Sequence, residues 1–347
     1  MYKKLNIMNK YKKLSYLAYI ESPLQALNAI EYVNRTGCVS DALFLVKNGI
    51  NNRNYEQIIG VLNYFACNNI CNIPVKGTFI SLLLHRQTIV KALDSCKLKD
   101  DCEILLGEYR SILGGIVANY FKREERAIVV VDDGNETLRI NRRKSTTSKK
   151  SSLKKNLLSL CGFNPELNMP LVFFTVYEIG DALNVADKLI VNNYSFCKSN
   201  ISQLKQENKI FIIGSPLAIA VVVDDDVQLT INLIRECKIR YPDVEMLYIS
   251  HRREDDVKLT SISKEGIDVL PSKFPFELYP FYNDYRPKTL VGFTSSLFDN
   301  VHLIWGEDTE ILSFVIPPAL IHEEHVESYN AIYDKFKKNN ITIISEY

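Results

Sequence analysis

The chain has 347 residues, 46% of them apolar and 24% charged, with 42 Lys and Arg against 41 Asp and Glu for a formal net charge of +1. At roughly 150 residues per domain this length suggests about two domains, each large enough to bury its own core. The charge balance excludes an acidic solvating protein and gives no global basic field for nucleic acid.

Lys3, Lys4, Lys12 and Lys13 precede the apolar run from Leu14 to Ile20. Glu21 follows at once and no small-residue cleavage site appears, so the run reads as the first strand of a folded domain rather than a signal peptide. From there β-rich runs alternate with helical patterns. Strands are expected at 14–20, 42–46, 102–106 and 127–131, and helices at 23–35, 55–65, 79–95 and 111–121. Strands separated by single helices indicate βαβ units and a parallel sheet. The run Ile128, Val129, Val130, Val131 is apolar on both faces, as a central parallel strand should be.

A composition shift follows. Residues 142–155 hold seven Lys or Arg, six Ser or Thr and no acid. This reads either as a solvated loop or as a basic patch that meets anionic lipid or an anionic glycan. A second series then begins, with strands expected at 209–213, 245–249, 267–270 and 289–292 and helices at 227–241, 295–300 and 325–338. In the first of these helices Leu229, Ile231, Ile234 and Cys237 share a face. The longest strongly apolar stretch, Phe211 to Val223, is interrupted by Gly214, Ser215 and Pro216 and is too short for a membrane span, which needs about 20 apolar residues. The expected architecture is α/β: two Rossmann-like, doubly wound domains facing a central cleft, with the boundary between 175 and 205. The working division is 1–190 and 191–347. The eight cysteines are expected to be reduced thiols. Cys67 and Cys71 are four apart, but no second pair or nearby His completes a zinc site.

Four segments sit where a strand is expected to end, the edge at which open α/β sheets bind ligands. Asp132-Asp133-Gly134 places two carboxylates after a buried strand. One can accept a proton from a hydroxyl while its neighbour orients it, or both can be solvated acids of an Asp-Gly turn. His251-Arg252-Arg253 is a cationic cluster suited to a phosphate, or a surface charge run. Thr294-Ser295-Ser296 opens a helix and offers hydroxyls and free N–H groups to an anion, or is an ordinary cap. Glu277, after Phe274-Pro275-Phe276, can bond a ribose diol or can simply favour the start of a helix. There is no complete P-loop, GxGxxG, HExxH or GxSxG motif.

In this order the segments resemble the bacterial sialyltransferases of the GT-B type, which share an acidic pair plus Gly, a His-Pro pair, and a Ser-Ser or Ser-Thr pair. Asp132-Asp133-Gly134 and Ser295-Ser296 match, and Glu277 looks like the ribose-binding Glu of that family. Glu21-Ser22-Pro23-Leu24-Gln25 and Gly214-Ser215-Pro216-Leu217 look like signatures of its polysialyltransferase and lipooligosaccharide sialyltransferase branches. The resemblance covers residues 14 to 300, with one departure: His251 is followed by Arg252 rather than Pro.

The resemblance implies a GT-B fold with an acceptor-side first domain and a donor-side second domain. It implies an inverting, metal-independent transfer of sialic acid, or a related nonulosonic acid such as legionaminic or pseudaminic acid, from its CMP donor to a hydroxyl of a bacterial surface glycan. Asp133 would be the general base, supported by Asp132, and His251 would bind the CMP phosphate and act as acid. Ser295, Ser296, Thr294, Arg252, Glu277, Gly214, Ser215 and Pro216 would hold the donor. Glu21, Ser22, Gln25 and Arg110 would meet the acceptor. The implied partners are a CMP-sugar and a lipid-linked glycan, with no cofactor, no metal and no nucleic acid. The location would be cytoplasmic, with peripheral contact at the inner membrane through basic residues such as Lys149 and Lys150. The rival readings are a GT-B enzyme using another nucleotide sugar and a non-catalytic glycan-binding or assembly protein of the same fold.

Overall fold

The computed structural model describes residues 12–48, 52–76, 78–124, 126–134, 136–143, 157–215, 217, 226–251, 253–271 and 274–345, and of Asn52, Arg53 and Ser296 the backbone alone. Pro216, Arg252, Lys149, Lys150 and the side chain of Ser296 therefore lie outside the described residues.

The chain divides into two units, Met1–Phe196 and Cys197–Tyr347. The first contains β1 Leu14–Ile20, α1 Pro23–Thr36, β2 Ala42–Lys47, α2 Asn52–Tyr64, β3 Ile70–Ile73, α3 Phe79–Leu84, α4 Arg86–Asp94, β4 Leu98–Leu106, α5 Ile112–Phe121, β5 Ile128–Val131, β6 Val172–Thr175 and β7 Lys188–Val191. The division falls within α6 Ser195–Ile201. The second contains β8 Lys205–Ile213, α7 Val227–Arg240, β9 Glu245–Ser250, α8 Asp256–Ser263, β10 Asp268–Pro271, α9 Tyr279–Asn283, β11 Tyr285–Gly292, α10 Ser296–Trp305, β12 Glu310–Phe314, α11 Glu323–Lys338 and β13 Thr342–Ile344.

The first sheet has seven strands in the order β3-β2-β1-β4-β5-β6-β7, and the second has six in the order β10-β9-β8-β11-β12-β13. Every pairing is parallel. Both orders start from a central strand, run outward to one edge and then resume on the other side, which is the doubly wound arrangement. The central strands read as apolar runs because helices cover both faces: all four residues of β5 and the last five of β1 are buried. One core gathers Leu17, Tyr19, Leu45, Ile104 and Val130, and another gathers Ile212, Leu233, Tyr248, Val291 and Phe314.

Local signals set the helix starts. Ser22 is extended (φ −141°, ψ 158°) and its Oγ accepts from the Gln25 amide at 3.3 Å, with Pro23 in the first turn. The single helix expected over 79–95 is two, α3 and α4, separated at His85, whose ψ of 22° leaves the helical range. There the ring Nδ1 reaches the Ser81 carbonyl at 2.9 Å and competes for a backbone acceptor.

Of the basic run expected over 142–155, residues 144–155 lie outside the described residues, while Arg142 differs from the expectation. The Arg142 side chain is 5% exposed and its Nε donates to Asp187 at 2.6 Å. Its other nitrogens donate to the Leu167 and Met169 carbonyls, and its guanidinium carbon lies 5.7 Å from the Tyr109 ring centre. Arg142 is thus a buried cross-brace, satisfied by directional acceptors that a lysine could not fork across. All eight cysteines are free. Among the described residues no helix is long and apolar enough to cross a membrane.

Phe211 is fully buried, with the Phe276 and Tyr279 rings 5.5 and 4.9 Å away. Phe211→Ala is expected to cost about 3–5 kcal/mol in urea unfolding. Leu160→Ala, at a side chain 84% exposed, should stay within about 0.5 kcal/mol.

Candidate functional site

Each sheet changes direction once, between β1 and β4 in the first unit and between β8 and β11 in the second. Loops leaving the carboxyl ends of such strand pairs diverge and leave a crevice for ligands. Glu21 and Ser22 follow β1, Arg110 follows β4, and Asp132 and Asp133 follow the neighbouring β5. Gly214 and Ser215 follow β8, Thr294 and Ser295 follow β11, and His251 follows the neighbouring β9.

In the first unit the two aspartates are held differently. Asp132 is 2% exposed. Its carbonyl accepts from Asn28 Nδ2 at 2.9 Å and its Oδ2 accepts the Val176 amide at 2.9 Å. Its Oδ1 is buried without a hydrogen-bond partner. Burial pushes this carboxyl up to about 6, while Thr175, the Val176 amide and Thr137 pull it down. Asp133 is half-buried and faces a recess also lined by Glu108, Tyr109, Arg110, Glu136 and Thr137. Its Oδ1 accepts from Ser22 Oγ at 3.2 Å, and its amide donates to Thr137 Oγ1 at 3.2 Å. Burial raises the Asp133 carboxyl, with Gln25 and Ser22 opposing and the Glu21 and Glu136 charges adding. Gly134 sits at φ +60°, the left-handed conformation that turns the chain directly after the pair.

The residues expected to meet an acceptor gather around Asp133. Gln25 is 1% exposed and its Oε1 accepts the Glu21 amide at 2.7 Å. Glu21 accepts from Tyr19 at 2.9 Å and also from Ser111 and Lys47. Glu108 is raised by burial and by the Asp133 and Glu21 charges. Arg110 is paired with Glu136, which also takes Arg139 at 3.0 Å.

In the second unit the His251 amide donates to Glu254 Oε2 at 2.7 Å, and the ring Nδ1 accepts the Arg253 amide at 3.2 Å. An accepting Nδ1 puts the ring proton of the neutral imidazole on Nε2. Ser295 caps α10 with its Oγ accepting the Leu297 amide at 3.2 Å, which leaves the hydroxyl proton to donate elsewhere. Thr294 and Ser295 are half-exposed. Glu277 Oε1 accepts from Asn300 Nδ2 at 2.9 Å, and the Glu277 carbonyl accepts from Trp305 Nε1 at 2.7 Å. Because Asn300 and Trp305 lie on α10, that helix joins the Ser295 end to Glu277. Burial raises the Glu277 carboxyl, with Asn300 opposing.

Sequence reading passed over several supports. Asn28 and Glu31, with Gln25, are polar residues of a helix buried almost all round, and that was a usable signal, since buried polar groups are bonded to something. Thr137, Asn300 and Glu254 gave none, because each reads as a polar residue of a loop or helix surface.

No family model matches the chain, and no curated protein matches it. Among solved structures, a sialyltransferase from Photobacterium damsela is similar at a TM-score of 0.50 and 14% identity, covering 96% of this chain and 82% of that one. A structure of a Photobacterium damselae sialyltransferase limited to its GT-B domain is similar at 0.48 and 16% identity, covering 95% and 100%. A putative UDP-N-acetylglucosamine 2-epimerase from Listeria monocytogenes is similar at 0.49 and 10% identity, covering 95% and 90%. The two doubly wound units in tandem are the GT-B fold.

The Asp132 carboxyl, raised in the folded chain to about 6, binds its proton more tightly there than in the unfolded chain, where the ordinary value is about 3.9. Its contribution to stability is therefore fully present below about 3.9 and is lost as pH rises through about 6. Asp132→Asn should remove this slope. The melting temperature of the wild type relative to the variant is expected to fall between pH 4 and pH 7 by thermal scanning, and parallel curves would contradict the assignment.

Proposed function

We propose that the chain is an inverting, metal-independent sialyltransferase that moves sialic acid, or a related nonulosonic acid, from its CMP donor to a hydroxyl of a bacterial surface glycan such as lipopolysaccharide, lipooligosaccharide or capsule. One observation supports this reading above the others. A raised carboxyl, Asp133, opens into a recess at one sheet's carboxyl edge, while a second sheet's carboxyl edge carries His251, Thr294, Ser295 and Glu277.

In this mechanism Asp133 takes the proton of the acceptor hydroxyl, and its raised carboxyl is closer to the working range of a general base than an ordinary aspartate. The acceptor oxygen bonds to the anomeric carbon as that carbon's bond to the phosphate oxygen breaks, and CMP departs with the electron pair. Because that carbon is tertiary and bears a carboxylate, bond breaking runs ahead of bond making. In-line displacement turns a β-linked donor into an α-linked product. Asp132 stays beneath, shaping the turn that carries Asp133. His251 donates from Nε2 to the phosphate, and Ser295 and Ser296 donate hydroxyls at the start of the ten-residue α10, whose N–H groups favour an anion. Glu277 holds the ribose diol, and Gly214 to Pro216 with Arg252 and Thr294 complete the donor contacts. Glu21, Ser22, Gln25 and Arg110 form the acceptor side. A monophosphate leaving group carries less charge than a diphosphate, so these groups suffice without a metal. The acceptor is lipid-linked and the enzyme works at the cytoplasmic face of the inner membrane.

The reading is checked with CMP-sialic acid and a panel of labelled galactosides and sialosides, followed by mass spectrometry. The product should gain one or more sialic acid units, with no loss of rate in EDTA. Asp133→Ala should abolish transfer while calorimetric CMP binding stays within about twofold, and His251→Ala should weaken both donor use and turnover. Near-wild-type transfer by Asp133→Ala would remove the base assignment.

A further inference from the structure

Lys258 is 4% exposed, on α8. Its ammonium has three protons, and the structure supplies three acceptors: the Ser215 carbonyl at 2.9 Å, Asp226 Oδ2 at 2.6 Å and Glu254 Oε1 at 2.8 Å. The acceptors are tied onward. Asp226 Oδ2 also accepts the Leu217 amide at 3.0 Å. Glu254, with its side chain fully buried, accepts Tyr248 OH at 2.7 Å on Oε1 and the His251 amide at 2.7 Å on Oε2. Gly214 fits against this cluster only because it has no side chain: a Cβ there would stand 2.3 Å from Glu254 Oε2 and 3.0 Å from the His251 amide nitrogen.

Stripping water from one ammonium and two carboxylates is costly, and a well-packed apolar cluster serves stability as well or better. The distinguishing property of the ionic cluster is directional. It fixes the backbone after β8, the start of α7 and the backbone after β9 to a single nitrogen.

We infer that Lys258, through Asp226 and Glu254, is a positioning residue that sets the Gly214–Ser215 and His251 loops at the spacing a nucleotide phosphate needs. The inference rests on the donor-site reading above and deepens it. Lys258 does not touch the nucleotide. It acts through the Ser215 carbonyl and through the Glu254 carboxylate that holds the His251 amide.

The test is calorimetric titration of the full chain with CMP and, separately, with cytidine, which lacks the phosphate. Lys258→Met and Glu254→Gln are compared with Ile234→Ala, a change in the fully buried core of the same unit. Folding is followed by circular dichroism. Both cluster variants should lose about tenfold or more in CMP affinity while cytidine affinity stays within about twofold. Ile234→Ala should lower the melting temperature and leave the CMP-to-cytidine ratio intact. If Lys258→Met does not fold, Glu254→Gln, which keeps the shape and removes one acceptor, decides alone. A folded Glu254→Gln with the wild-type ratio would overturn the inference, as would an equal loss in Ile234→Ala. Failure of the wild type to prefer CMP over cytidine would instead overturn the donor-site reading itself.

Discussion

A parallel sheet that adds strands first to one side and then to the other sends adjacent loops in opposite directions at its carboxyl edge, and no neighbouring strand covers the gap between them. This chain builds that reversal twice, beside β1 and β4 and beside β8 and β11. The first gap receives the capped start of α1 and the Asp132–Gly134 turn nearby, and the second receives the capped start of α10. The chemistry available at each gap follows from what the sequence places within a few residues of a strand end.

The two gaps are supported by different means. Under the first, α1 is buried almost all round and spends its polar side chains on backbone groups. Asn28 holds the Asp132 carbonyl and is itself contacted by Asn192, while Glu31 receives the Phe196 amide. Two amide side chains and one carboxylate, each bonded to a neighbour, form the support there. Under the second, the support is ionic, centred on Lys258. In both cases a buried polar group is tolerated because its acceptors and donors are met, and the side chains at the edge inherit a fixed backbone. Asp132 Oδ1 is the exception among the described residues near the first gap, and burial raises that carboxyl.

Legibility from sequence followed the strength of the local signal. β1, β2 and β5 are mostly apolar runs and were found nearly residue for residue, as were α1, where a Ser22 cap and Pro23 mark the start, and α7, where periodicity marks it. β3, β6, β7, β12 and β13 were passed over because they are three to five residues long and mix polar with apolar positions. Such strands are made by pairing with a neighbour already in place rather than by their own pattern. The acidic pair, the Ser pair and Glu277 could be located because Gly, Pro or a cap follows an apolar run, but their roles came from resemblance to a family rather than from spacing. Charge misled at Arg142, and Lys258 was not singled out at all. Arg142 reads as the start of a solvated basic run and is a buried brace. Lys258 lies in a run with Asp255, Asp256 and Lys264 that looks like a wet helix face, and nothing local distinguishes the one lysine whose acceptors lie 4, 32 and 43 residues away.

The proposed function requires the edge formed by His251, Ser295 and Glu277 to take a cytidine monophosphate in preference to a nucleoside diphosphate. Equilibrium titration of the full chain with CMP, UDP and ADP in parallel, without added metal, tests it most directly. Saturable binding of CMP and at least about tenfold weaker binding of the other two, a gap of about 1.4 kcal/mol, are expected. Tight binding of UDP or ADP with none of CMP would contradict it.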